Sequence, residues 1–71
     1  MPAELTRVQK EYVAFIDDFR RRNHVGPSLH DIREHVGRQS VSTIKHTVDI
    51  LVDKGVIERT PGVHRSLRVA T

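Results

Sequence analysis

Two short segments with helical apolar spacing stand three residues apart in this chain, each opened by a serine, and this limits the fold more than any other feature. The first follows Pro27-Ser28, with Ser28 as N-cap, Asp31 at the third helical position, Ile32 and Val36 inward and Gly37 as a left-handed stop. Gly37-Arg38-Gln39 makes the turn. Ser40 then caps a second segment in which Val41, Ile44, Val48 and Leu51 recur at helical intervals until Lys54-Gly55 ends it. Two helices about a tight glycine turn have the spacing of a helix-turn-helix.

The flanking sequence adds one element on each side. Upstream, Val8, Tyr12, Phe15, Ile16 and Phe19 share one stripe of an amphipathic helix. Thr6 and Gln9 have capping-box spacing at its start, and its end is expected near Arg22 or Asn23. The Arg20-Arg21-Arg22 triplet there complements the negative end of the helix dipole, a reading preferred over a nucleic-acid patch. Beyond Gly55 the period changes to two: Ile57 and Arg59 alternate with Glu58, and Leu67 and Val69 with Arg68. Thr60-Pro61-Gly62 supplies the intervening turn. The fold class is therefore α+β and mostly α, a single domain over residues 1–71 with three helices and a C-terminal two-stranded hairpin. Its expected core is Val8, Tyr12, Phe15, Ile16, Phe19, Ile32, Val36, Ile44, Val48, Leu51, Ile57, Leu67 and Val69.

Composition narrows the chemistry. With 71 residues only one small core can form, leaving no room for a large enclosed active site. The lack of cysteine removes disulfides, thiolate metal sites and Cys nucleophiles. No apolar run approaches the ~20 residues of a membrane span, and Met1 to Arg7 lacks signal-peptide regions, so cytoplasmic residence is expected. Residues 1–36 balance six basic against six acidic side chains, whereas residues 37–71 carry six against three. The whole net charge of +3 thus lies in the second helix-turn-helix segment and the hairpin, as a polyanion partner would require.

On that second segment, the side opposite Ile44, Val48 and Leu51 presents Ser42, Thr43, His46, Asp49, Ile50 and Asp53, with Lys45 on the flank. Its first two turns hold no acid. Short hydroxyls and a cation near a helix start can approach base edges and phosphates. A metal is not expected: His30 and His35 are five apart and do not share a helical face, so His30 with Glu34 and Asp31 with His35 read as surface pairs. No nucleophile elbow, phosphate-cradling glycine loop or carboxylate pair is present, and neither an enzyme nor a cofactor is expected.

Pro27-Ser28, Ile32, Val36-Gly37, Ser40, Ser42-Thr43-Ile44, Val48, Leu51, Lys54-Gly55-Val56-Ile57 and Arg65 together resemble the N-terminal DNA-binding domain of LexA-type SOS repressors, and Leu5-Thr6, Gln9 and Phe15-Ile16 resemble its first helix. The resemblance covers nearly the whole chain. It implies a winged helix-turn-helix of bacterial or phage origin that regulates transcription, with the third helix in the major groove and the hairpin as a wing on the backbone. The better-known proteobacterial members carry an Asn and two Glu where this chain has Ser42, Lys45 and His46, and Ser-x-Ser-Thr-Ile is closer to the Gram-positive pattern. Family repressors also have a second domain with a Ser/Lys dyad and a dimer interface, to which no residue here can be assigned. The expectation is either an excised DNA-binding domain or a naturally small relative.

The resulting reading is a sequence-specific repressor of duplex DNA. Ser42, Thr43, Lys45 and His46 are expected to read bases, and Ser28, Arg38, Gln39, Ser40, His64 and Arg65 to hold the backbone. A homodimer on a palindromic site would extend the contact. The alternative is a small phage or mobile-element interaction module acting on a repressor or RNA polymerase, to which Ile50, pointing away from the expected core, and Val52, doing so in part, would contribute.

Overall fold

The computed structural model describes residues 4–37 and 39–70. It has three helices, α1 (Arg7–Asn23), α2 (Leu29–Val36) and α3 (Val41–Asp53), followed by strands β1 (Ile57–Glu58) and β2 (Arg68–Val69). The strands pair antiparallel with Ile57 opposite Val69 and Glu58 opposite Arg68. Each is shorter than the alternation predicted, because Arg59 turns out of the ladder to meet a carboxylate on α3 and Leu67 turns into the core. No helix among the described residues is long and apolar enough to cross a membrane.

All three helix starts are where the capping residues place them. Thr6 accepts from Gln9 N–H while the Gln9 side chain accepts from Thr6 N–H, and Ser28 and Asp31 make the same reciprocal pair. Ser40 Oγ accepts from Thr43 N–H at 3.2 Å. α1 ends at Asn23, where its end was expected, with His24 in the left-handed position that closes it. Gly37 has positive φ but an extended ψ of −152°, a region essentially open to glycine alone, so it bends the chain sharply between α2 and α3 and is not a left-handed stop. At the end of α3, Gly55 at φ 74° lets Gly55 N–H and Val56 N–H return to the carbonyls of Val52 and Leu51, satisfying the last turn.

Tyr12, Ile16, Ile32, Ile44, Val48, Leu51, Ile57 and Leu67 form the buried core. Phe15, Val36 and Val69 pack at its edge. Val8, predicted as core, is 47% exposed at the first turn of α1, on the border of its apolar stripe; Val41 is 42% exposed at the first turn of α3. Phe19 is half-buried, in tilted contact with Phe15, whose other neighbour is the stacked His35 ring at 4.3 Å. Ile50 is half-buried, so it is not the outward aliphatic predicted, while Val52, expected to point away only in part, is partly buried against the core.

Beyond the shared core, a backbone contact and a lysine tie the hairpin and α3 to the N-terminal half. Gly26 N–H donates to Arg65 O at 2.9 Å, and a Cβ at Gly26 would collide with the Leu67 backbone, so this junction requires glycine. Lys54 Nζ donates to Glu4 O and Gln9 Oε1 at 3.2 and 3.1 Å, so the cation that ends α3 also clasps the start of α1.

Candidate nucleic-acid interface

The first two turns of α3 project from the domain because Ile44 and Val48 anchor its opposite side in the core. Ser42, Thr43, Lys45 and His46 are exposed there, so all four predicted base-reading residues share one accessible surface. They are not equally free. Thr43 and Ser40 hydroxyls bond to each other at 3.0 Å, so the cap of the helix engages both groups. Lys45 Nζ donates to Asp49 Oδ2 at 3.1 Å, one turn further along.

Turn residues are held by the core side. Tyr12, fully buried, donates its hydroxyl to Gln39 Oε1 at 3.1 Å, and Arg33 Nε donates to Gln39 O at 3.0 Å. Burial raises the Tyr12 pKa, opposed by a hydrogen bond with Thr47, so the hydroxyl stays protonated and able to donate. Gln39 is therefore part of the scaffold that aims α3. Arg38, predicted as a backbone contact, lies outside the described residues.

The hairpin loop is closed by Ser66, a residue that sequence reasoning passed over. Its hydroxyl accepts from Thr60 N–H at 2.9 Å and donates to Thr60 O at 3.2 Å, bracketing the loop from Pro61 to Arg65 where the ladder has ended. A serine five residues past a turn proline carries no distinctive signal, because the bracket depends on the loop's path. His64 and Val63 stand exposed at the tip. Between this loop and the start of α2 lies an open cleft of about 310 Å³, lined in part by Ser28, Arg59, His64 and Arg65.

Arg65 lies across that cleft from solvent, its Nη1 donating to Asp31 Oδ2 at 2.9 Å. Asp31 was expected to pair with His35, but the α2 capping box turns its carboxylate toward Ser28, within reach of the wing. Ser28 N–H first, and Arg65 second to it, hold the Asp31 carboxyl below its ordinary range against the opposing effect of partial burial. On the far side of the wing, Arg59 Nη2 approaches Asp49 Oδ1 to 2.9 Å, and Arg68 pairs with Glu58 at 3.4 Å while donating to Thr60 Oγ1. Away from this surface, Arg21 and Arg22 pair with Asp17 and Asp18 one turn back, and His30 lies 3.6 Å from Glu34 as predicted.

A capped helix-turn-helix, an exposed and acid-free start to its second helix, and a bracketed hairpin beside it are thus one continuous surface. The LexA DNA binding domain family model matches residues 2–66, nearly all of it. The chain belongs to the LexA DNA binding domain family. Its three helices and antiparallel hairpin are the winged helix-turn-helix expected of that family. It is similar to the LexA repressor of Carboxydothermus hydrogenoformans, 31% identical over 65 residues that make up 92% of this chain and 32% of that protein. The LexA repressors of Parafrankia sp. and Nocardioides sp. are 34% and 35% identical, again over 92% of this chain and 26% of each repressor. The chain thus spans about a quarter to a third of the length of these curated relatives.

Proposed function

We propose that the chain is a non-enzymatic, sequence-specific binder of duplex DNA that represses transcription by occupying a promoter. The observation that carries this is the exposed start of α3 with Ser42, Lys45 and His46 outward and no carboxylate in its first two turns, in a domain of the LexA DNA-binding family. Repression comes from the relatives, which are LexA repressors.

In this reading α3 enters the major groove. Lys45 and Ser42 offer donors to guanine or either base edge, His46 reaches further out, and Thr43, its hydroxyl held by Ser40, has its methyl left for a thymine methyl. The wing lies on the backbone: His64 and Arg65 from the loop, with Ser28 across the cleft, engage one phosphate run, while Arg38, Gln39 and Ser40 engage the other at the turn. One domain covers a half-site, so two copies related by a two-fold axis would occupy a palindrome.

Selecting duplexes from a random pool with this chain tests the reading. A recovered motif repeated in inverted orientation, protected from cleavage in its major groove, is the expected result. Equal affinity for every sequence overturns the sequence-specific reading, and recovery of no motif together with co-purification of a repressor or RNA polymerase subunit favours the protein-docking role.

A further inference from the structure

The basic half of the chain is less available than its charge implies. Among the described residues, Lys45 and Arg59 share Asp49, Arg65 pairs with Asp31, Arg68 pairs with Glu58, and Lys54 clasps the start of α1. Asp49 is the one carboxylate among these that holds two cations, and the two come from different elements, the recognition helix and the root of the wing. Its Oδ2 accepts from Lys45 at 3.1 Å. Its Oδ1 is shut off from water and lies 2.9 Å from Arg59 Nη2, a charge contact in which the N–H is not aligned for a hydrogen bond.

We propose that Asp49 is a specificity-determining residue that withholds Lys45 and Arg59 from phosphates, so that the pair is released only where matching bases repay the loss. The proposal rests on the DNA-binding reading above. On an arbitrary duplex, moving Lys45 to a phosphate exchanges one anionic partner for another and leaves Asp49 facing a polyanion, so little is gained. Over a guanine, Lys45 gains directed bonds to O6 or N7 that no phosphate offers. Asp49 thus lowers affinity for random sequence more than for the correct site. The hydrogen bond from Lys45, and then the Arg59 contact, keep its carboxyl below the ordinary range, so the charge persists through the physiological range.

Asp49→Asn tests this by titrating a selected duplex and a random duplex across a salt series. Expected for random DNA is a salt slope steeper by about one to two, and a gain of about eightfold at about 0.1 M salt for each phosphate newly paired. Affinity for the selected duplex should change by less than about threefold, so discrimination falls. Asp53→Asn, which removes the same charge one turn on, should leave discrimination within about twofold of the parent; equal gains in both variants would reduce the effect to net charge and overturn the proposal. Arg59→Gln probes the same pairing without altering the carboxylate: a sequestered Arg59 predicts a random-DNA slope changed by less than about half a unit, whereas a loss of about one shows that Arg59 already sits on a phosphate and overturns it. Loss of affinity in Asp49→Asn confined to sites with cytosine at one position would make Asp49 a direct base reader and also overturn it. If the parent chain binds no duplex at low salt, the DNA-binding reading falls as well; if the parent binds and Asp49→Asn matches it on both duplexes, only the withholding role falls.

Discussion

Arg65 Nη1 donates to Asp31 Oδ2 at 2.9 Å across 34 residues of sequence, joining the wing to the capping box of α2. The same carboxylate oxygen accepts from Ser28 N–H at 3.0 Å, so helix start and wing share one acceptor. Arg65 keeps a φ of 55° while its carbonyl receives Gly26 N–H, which places a non-glycine residue in the left-handed region at the point where three segments meet.

This junction makes acid stability depend on Asp31. Its folded-state pKa lies below the ordinary 3.8 through the Ser28 backbone hydrogen bond first and Arg65 after it. A depressed carboxyl contributes stability that is complete above the unfolded value and is lost as pH falls through the folded one. Thermal melts of the wild type should therefore drop in midpoint as pH is lowered below about 4, beyond the drop seen at Asp31→Asn, whose profile should be flatter. At neutral pH, Asp31→Ala should cost about 1 kcal/mol through the lost hydrogen bond from Ser28 N–H, while Ser28 still caps the helix. Parallel profiles for wild type and Asp31→Asn would show that the pairing contributes nothing.

Removing Arg65 should weaken selected and random duplexes alike. Because its φ is positive, glycine is the substitution that deletes the cation without adding backbone strain. Arg65→Gly is expected to flatten the salt slope by about one unit on both duplexes, as for one phosphate contact. An unchanged slope in both removes Arg65 from the backbone contacts.

Base reading makes the opposite prediction. Ser42→Ala and Lys45→Met should each erode discrimination between selected and random duplexes by ~1 to 3 kcal/mol per lost base contact, with little change in melting temperature because both side chains are exposed. Competition binding with single-base variants of the selected site would locate the affected positions. A uniform loss on all duplexes would move Lys45 from the bases to the backbone.

Gly26→Ala should be destabilising although alanine is the smallest addition. A Cβ there would stand 2.7 Å from Leu67 N and closer still to Leu67 O, and backbone cannot step aside as a side-chain tip can. A loss of about 1 to 3 kcal/mol in denaturant unfolding is expected, as for overpacking of a tight core. The wing should be affected first, visible as loss of the Gly26 amide's exchange protection.

The elements were legible in the sequence because their determinants are local. Thr6 with Gln9, Ser28 with Asp31, and Ser40 lie within one turn of the amides they cap, and the spacing of Ile44, Val48 and Leu51 orients α3 whatever packs against it. The four residues placed at the start of α3 consequently share a surface as predicted. Tertiary structure alone decided which cations that surface has to spend. Arg65 meets Asp31, Arg59 meets Asp49 and Lys54 meets Gln9 through separations of 34, 10 and 45 residues, and no local pattern ranks such partners. A charge count reads every lysine and arginine as available, whereas a Coulomb contact depends on distance, and distance is set by how the wing and α1 close over the helix-turn-helix.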